Sequence, residues 1–159
     1  MKENKNSPFY ELCFPERKFR LKKEAEKFFI YDELRKKWII CTPEEWVRQN
    51  LLKYLVSELK FPQNLIAVEK SLSIAGRTYR FDALVYDRNI NPLVIVECKS
   101  PVVPLDQKVF DQIWNYNYEI SAPFFIVTNG LSFLMGKCSV ETGVKFFDET
   151  VEYDILMTL

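Results

Sequence analysis

The sequence predicts one α/β domain whose core runs helix, strand, strand, strand, helix, strand (αβββαβ). Two observations carry this. Apolar residues recur at helical spacing in two segments, while short alternating or continuous apolar runs fill the rest, separated by Pro, Gly and Asn. At 159 residues the chain is long enough for one core and too short for two ordinary domains.

Residues 1–16 are polar and contain Pro8 and Pro15, so an irregular arm is expected ahead of a single domain over 17–159. Phe28-Phe29-Ile30-Tyr31 and Trp38-Ile39-Ile40-Cys41 flank a polar tip and read as an N-terminal β-hairpin, with Phe19-Arg20-Leu21 as a third strand. Its lysines read as a solvated face. Thr42-Pro43-Glu44-Glu45 is a helix start: Thr42 suits the N-cap, Pro43 the first helical position, and Glu45 would close a capping box. Trp46, Val47, Asn50, Leu51, Tyr54, Leu55 and Leu59 continue at helical spacing until Pro62. Arg48, one turn after Glu45, could pair with a carboxylate or a phosphate, with an exposed helix arginine as the blander and preferred reading.

Val68–Ile74 and Tyr79–Tyr86 are expected to be strands around an Ala75-Gly76 turn, with a third strand from Pro92. Asp106–Ile120 is the second helix, and Phe124–Val127 a buried strand ending at Thr128-Asn129-Gly130. Leu131–Cys138 and Val144–Phe147 suggest a C-terminal hairpin; Tyr153–Leu156 fits either helix or strand.

Composition excludes several chemistries. The chain has no histidine, which removes Ser-His-Asp triads, imidazole acid–base catalysis and His metal ligands. Its four cysteines are far apart, which argues against a zinc site, and three of them sit in apolar surroundings that suggest buried reduced thiols. No apolar run is long enough to span a membrane, and Met1–Asn6 lacks the apolar segment of a signal peptide, so a cytoplasmic location is expected. Net charge is zero, which argues against tight non-specific DNA binding by this chain alone.

The residues that carry chemistry are Asp82, Glu97 and Lys99. Glu97 and Lys99 end the run Val94-Ile95-Val96 and point to the same face, with Cys98 opposite. A hairpin would set Asp82 beside them. Two converging carboxylates repel unless a cation lies between them, and oxygen ligands suit Mg²⁺ or Mn²⁺.

Asp82, with fourteen residues between it and Glu97-Cys98-Lys99, resembles the motif of the PD-(D/E)XK nuclease superfamily, with Phe81 in the place of the motif's proline. Gln112 and Tyr116 are four apart on the second helix and match the QxxxY pair of the RecB-like and type I restriction branch. Thr-Pro-Glu-Glu, Val-Glu-Cys-Lys-Ser-Pro, QxxxY and Thr-Asn-Gly together look like the N-terminal nuclease domain of the type I restriction enzyme R subunit, over roughly residues 17–150.

That resemblance implies a restriction-endonuclease-like fold, a mixed sheet flanked by helices. It also implies a hydrolase: a Mg²⁺-dependent endonuclease acting on DNA within a restriction-modification system. Asp82, Glu97 and the Cys98 carbonyl would hold the metal. Lys99 would help activate water and offset phosphate charge, and Gln112 and Tyr116 would position the backbone. In such families a glutamate of the first core helix often joins the metal. Glu45 is the first choice here and Glu44 the second, against capping alone. Thr128-Asn129-Gly130 supports the resemblance without a catalytic role. No GxxxxGK[ST] phosphate loop is found, so no helicase motor is expected. DNA would then be delivered by restriction-modification subunits or by a separate motor protein. The alternative is a non-catalytic DNA- or protein-binding module that keeps the fold.

Overall fold

The computed structural model describes residues 7–159, so Met1–Asn6, the start of the expected arm, lie outside the described residues. Residues 7–16 carry no regular element but are docked. The Cys13 N–H donates to the Gly130 carbonyl at 2.7 Å, and buried Phe14 packs on Tyr54 and Phe133.

Strands β1 (Leu21–Glu24), β2 (Lys27–Asp32) and β3 (Lys37–Ile40) form a separate antiparallel sheet. The third strand therefore lies after Phe19-Arg20, because Ala25 and Glu26 supply the positive φ of the turn that pairs Glu24 with Lys27. Helix α1 (Pro43–Ser57) begins as expected, with Thr42 Oγ1 accepting from the Glu45 N–H at 3.1 Å, a cap worth about 1 kcal/mol. The reciprocal half of the capping box is absent. The Thr42 N–H donates to Ile40, and the Glu45 carboxylate turns inward instead.

The expected strands 68–74 and 79–86 are each broken in two. β4 (Ile66–Val68) pairs with β7 (Ala83–Tyr86), and β5 (Ser71–Ile74) with β6 (Arg77–Arg80). Both pairs keep one register, and Glu69 N–H to Asp82 O at 2.7 Å joins them, so this is one long bent hairpin. The bend falls where Glu69 takes a φ of 50°. Alternating side chains could not announce it. The core order αβββαβ is accordingly interrupted, and the bend takes Asp82 off the β8 ladder while its carbonyl stays bonded to the Glu69 N–H.

β8 (Pro92–Cys98), α2 (Gln107–Ile120) and β9 (Phe124–Thr128) form a parallel crossover, followed by the hairpin β10 (Phe133–Ser139) and β11 (Gly143–Phe146) and the short helix α3 (Tyr153–Leu156). The six-stranded sheet has the order β11-β10-β9-β8-β7-β4, and its β8–β9 pair is parallel among antiparallel neighbours. This is a mixed sheet with α1 and α2 on opposite faces. Val94, Val96 and Cys98 join Val47, Leu51 and Leu55 on the α1 side. Leu84 and Ile95 meet Ile120 on the other, with Phe125 and Val127 under Val109 and Ile113. Strand alternation therefore sends Glu97 to the α2 side, while Asp82 sits at the bend just before β7, with Phe81 turned toward Tyr116 on the α2 side and the Asp82 carboxylate reached by Arg48 of α1. Among the described residues no helix is long and apolar enough to cross a membrane.

Candidate functional site

The β7–β8 register pairs Ala83 with Val96, and one step further sets Asp82 opposite Glu97. Asp82 Oδ2 accepts from the Cys98 N–H at 2.6 Å, so its side chain closes the ladder where the hairpin bends away. In a strand the N–H and C=O of one residue point to the same side, so the Cys98 carbonyl also faces Asp82. The Cys98 thiol points the other way into the core, and burial raises its pKa well above the usual range. The Lys99 N–H donates to the Thr128 carbonyl at 2.9 Å, which fixes Lys99 just past the strand.

Glu97 Oε1 accepts from Lys99 Nζ at 2.7 Å and from Gln112 Nε2 at 3.1 Å. Gln112 Nε2 also donates to the Tyr116 hydroxyl at 2.8 Å, and the Tyr116 ring packs against Phe81 at 4.9 Å. The structure thus links Glu97, Lys99, Gln112 and Tyr116 on the α2 side of the sheet, with the Asp82 carboxylate at the strand end, held by the Cys98 N–H and by Arg48 of α1. Among the described residues no donor reaches Glu97 Oε2. Burial, and next the negative charge of Asp82, push the Glu97 carboxyl up to about 7, although Lys99 and Gln112 oppose the shift. For Lys99, burial works downward, but the hydrogen bond to Glu97 and the surrounding carboxylates outweigh it, so its pKa is raised and it is charged at neutral pH.

Two sequence expectations change. Arg48 is buried, not exposed: Nη2 donates to Asp82 Oδ1 at 2.5 Å, while Nη1 bonds Glu45 Oε2 and lies 3.4 Å from Glu69. Glu45, the preferred extra ligand, is already saturated. Its oxygens take Arg48, Arg35 Nη2 at 2.6 Å and Gln49 Nε2 at 2.8 Å. Glu44 faces the site instead. Burial and then the charge of Asp82 raise its pKa, while Arg48 and Lys99 pull it down.

Sequence reasoning missed Arg35, Gln49 and Asp32. Asp32 accepts from the Arg35 N–H and Nε and from Gln49, and these bonds hold its pKa low against its burial. The available signal was the stripe Glu45, Arg48, Gln49 at i, i+3, i+4 on a helix whose other faces are apolar.

Thr128-Asn129-Gly130 is a structural corner. Asn129 Oδ1 takes the Leu131 and Ser132 N–H groups, and Asn129 Nδ2 holds the Val103 carbonyl at 2.9 Å. Gly130 has φ +82°, and a Cβ there would lie 2.5 Å from Leu12.

Among the described residues no three His, Cys, Asp or Glu side chains form a metal-ligand group. Two carboxylates with a peptide carbonyl are a different donor set. The open Oε2 lone pairs of Glu97 beside Asp82 fit a hard cation.

A family model described as type I restriction enzyme R protein N terminus matches residues 43–154, which takes in the whole of this site. The chain belongs to that family. Among solved structures, a fragment of an HsdR subunit of a type I restriction enzyme from Vibrio vulnificus is similar, at 20% identity and a TM-score of 0.49. The match covers 70% of this chain and 24% of the other, so the chain spans about a quarter of that protein's length. No curated protein matches. The family match begins at Pro43, so the β1–β3 sheet lies outside it while every residue of the carboxylate cluster on β7, β8 and α2 lies within it.

Proposed function

We propose that this chain is a metal-dependent DNA endonuclease that hydrolyses phosphodiester bonds. The observation that carries the reading is the undonated Oε2 of Glu97, next to Asp82, on a carboxyl whose ionisation is resisted. Asp82, Glu97 and the Cys98 carbonyl would hold Mg²⁺ or Mn²⁺. When bound there, the ion would lower the pKa of an attacking water and offset charge on the scissile phosphate.

Lys99 is charged, so it serves as a cation and donor toward a phosphate oxygen or the attacking water, not as a base. Gln112 fixes Glu97 through Oε1 and leaves Oε2 to the site. The Tyr116 hydroxyl accepts from Gln112 and keeps its own proton to donate to the DNA backbone. Zero net charge supplies little affinity for duplex, so delivery of DNA by restriction-modification subunits or a separate motor belongs to the reading.

One observation favours the second reading, a non-catalytic module: Arg48 already neutralises Asp82 from within the protein. Nicking of supercoiled plasmid, wild type beside Lys99→Ala, separates the two. Mg²⁺-dependent nicking that disappears in Lys99→Ala supports the nuclease. DNA binding without nicking at high metal, unchanged by Lys99→Ala, supports the module.

A further inference from the structure

The β1–β3 sheet has one face turned inward, where Ile30 and Asp32 are buried and Phe28 meets Phe9. Its register, Lys22 opposite Phe29, Phe29 opposite Ile40 and Tyr31 opposite Trp38, brings a different set to the outward face. That face carries Phe29, Tyr31, Trp38 and Ile40 with Arg20 and Lys22. Trp38 is 37% exposed and Ile40 46%. The Arg20 guanidinium sits 4.1 Å from the Tyr31 ring centre, and Lys22 Nζ 4.8 Å from that of Trp38. The acid on this face is Glu24, paired with Lys22 at 2.8 Å. Although the chain is neutral, residues 17–40 hold nine Lys/Arg against four Asp/Glu, and one of the four, Asp32, is buried and bound to Arg35.

A sheet normally turns polar side chains outward, so three rings on the outward face call for a partner. Rings at the centre of a basic sheet suit nucleic acid, since bases stack on the rings and phosphates lie along the cations. A duplex keeps its bases stacked on one another and offers the rings nothing, which narrows the partner to an unpaired strand.

We propose that the outward face of the β1–β3 sheet binds single-stranded nucleic acid, with Trp38 and Tyr31 as stacking residues and Arg20 and Lys22 as phosphate contacts. The same strands end at the tip Asp32–Lys37, from which Arg35 reaches Glu45, Glu45 reaches Arg48, and Arg48 reaches Asp82. A bound strand running toward the tip is thereby led to the carboxylate site; that second step rests on the nuclease reading, the binding itself does not.

The test is fluorescence anisotropy of a labelled oligothymidylate and of a duplex of equal length, with the full chain in EDTA. The single strand should bind more tightly, and its affinity should fall with salt. Trp38→Ala should weaken it roughly tenfold to a hundredfold. Trp38→Phe keeps a ring, so it should retain most of the affinity while the quenching of tryptophan fluorescence by the oligonucleotide falls to what Trp46 and Trp114 contribute. That second variant serves should Trp38→Ala not fold. Duplex binding equal to or tighter than the single strand, affinity indifferent to Trp38→Ala, or quenching undiminished in Trp38→Phe each overturns the proposal. Binding in EDTA without any Mg²⁺-dependent nicking would sink the nuclease reading alone. Nicking without Trp38-dependent binding would sink the platform alone.

Discussion

Asp32 and Glu45 are as buried as Glu97, at 0%, 5% and 5% exposure, yet they sit in opposite circumstances. Both oxygens of Asp32 and both of Glu45 have donors, from Arg35, Arg48, Gln49 and two backbone N–H groups. Glu97 has donors on one oxygen and a second carboxylate as its neighbour. A buried carboxylate is costly unless hydrogen-bonded and paired, so the first cluster is built to hold the fold. The second pairs Glu97 with Lys99 and Asp82 with Arg48 but sets the two carboxylates side by side and leaves one Glu97 oxygen without a donor, which is an expense in stability that a bound cation would offset. Arg48 belongs to both, since one guanidinium nitrogen serves Glu45 and the other Asp82.

The sharpest break of this comparison is in rate. Asp82→Asn and Lys99→Ala should each lower Mg²⁺-dependent plasmid nicking by about three decades, ~4 kcal/mol, with unfolding midpoints close to wild type for Lys99→Ala. A nicking rate within tenfold of wild type would remove both residues from the chemistry. In the other cluster the effect should fall on stability. Glu45→Ala removes the most buried carboxylate that Arg35 and Arg48 share and leaves them only the half-buried Glu69 in common, and urea unfolding should show a loss of about 3 kcal/mol. Indifference to that change would mean the network is ornamental.

Stability against pH sharpens the contrast further. The Glu97 carboxyl is raised from 4.5 to about 7, so the folded state holds a proton that the unfolded chain releases. Stability should therefore fall as pH rises from about 4.5 to about 7, by a few kcal/mol at most, and then level off. Glu97→Gln should flatten that decline and unfold at higher urea than wild type at pH 8; equal profiles would contradict the assignment. Mg²⁺ should act in the same window, stabilising the wild type more at pH 8 than at pH 5. The smallest effect is expected for Tyr116→Phe, which removes the acceptor for Gln112: a stability change of about 1 kcal/mol and a modest drop in nicking.

The sequence legibly placed the two main helices, the buried strand runs and the charged residues at strand ends, because each is a local matter. Thr42 caps α1 from four residues' worth of information. Val94-Ile95-Val96 and Phe124–Val127 read as buried because both sheet faces are covered. The spacing of Gln112 and Tyr116 already put them on one helix face, and only their direction toward Glu97 needed the fold. The bend at Glu69 and Asp82 was not legible, since nothing in an alternating pattern marks where a hairpin twists out of its sheet.

Arg48 and Glu45 show the remaining limit most plainly. By sequence alone Arg48 could be solvated or paired, and Glu45 could be a cap or a metal ligand. Tertiary structure decided, because the β2–β3 tip folds over α1 and brings Arg35 and Asp32 against its polar stripe. Side-chain type and spacing determined which groups this protein could use. Which carboxylates are saturated and which stay open was decided by packing between segments distant in the chain, where the donors come from.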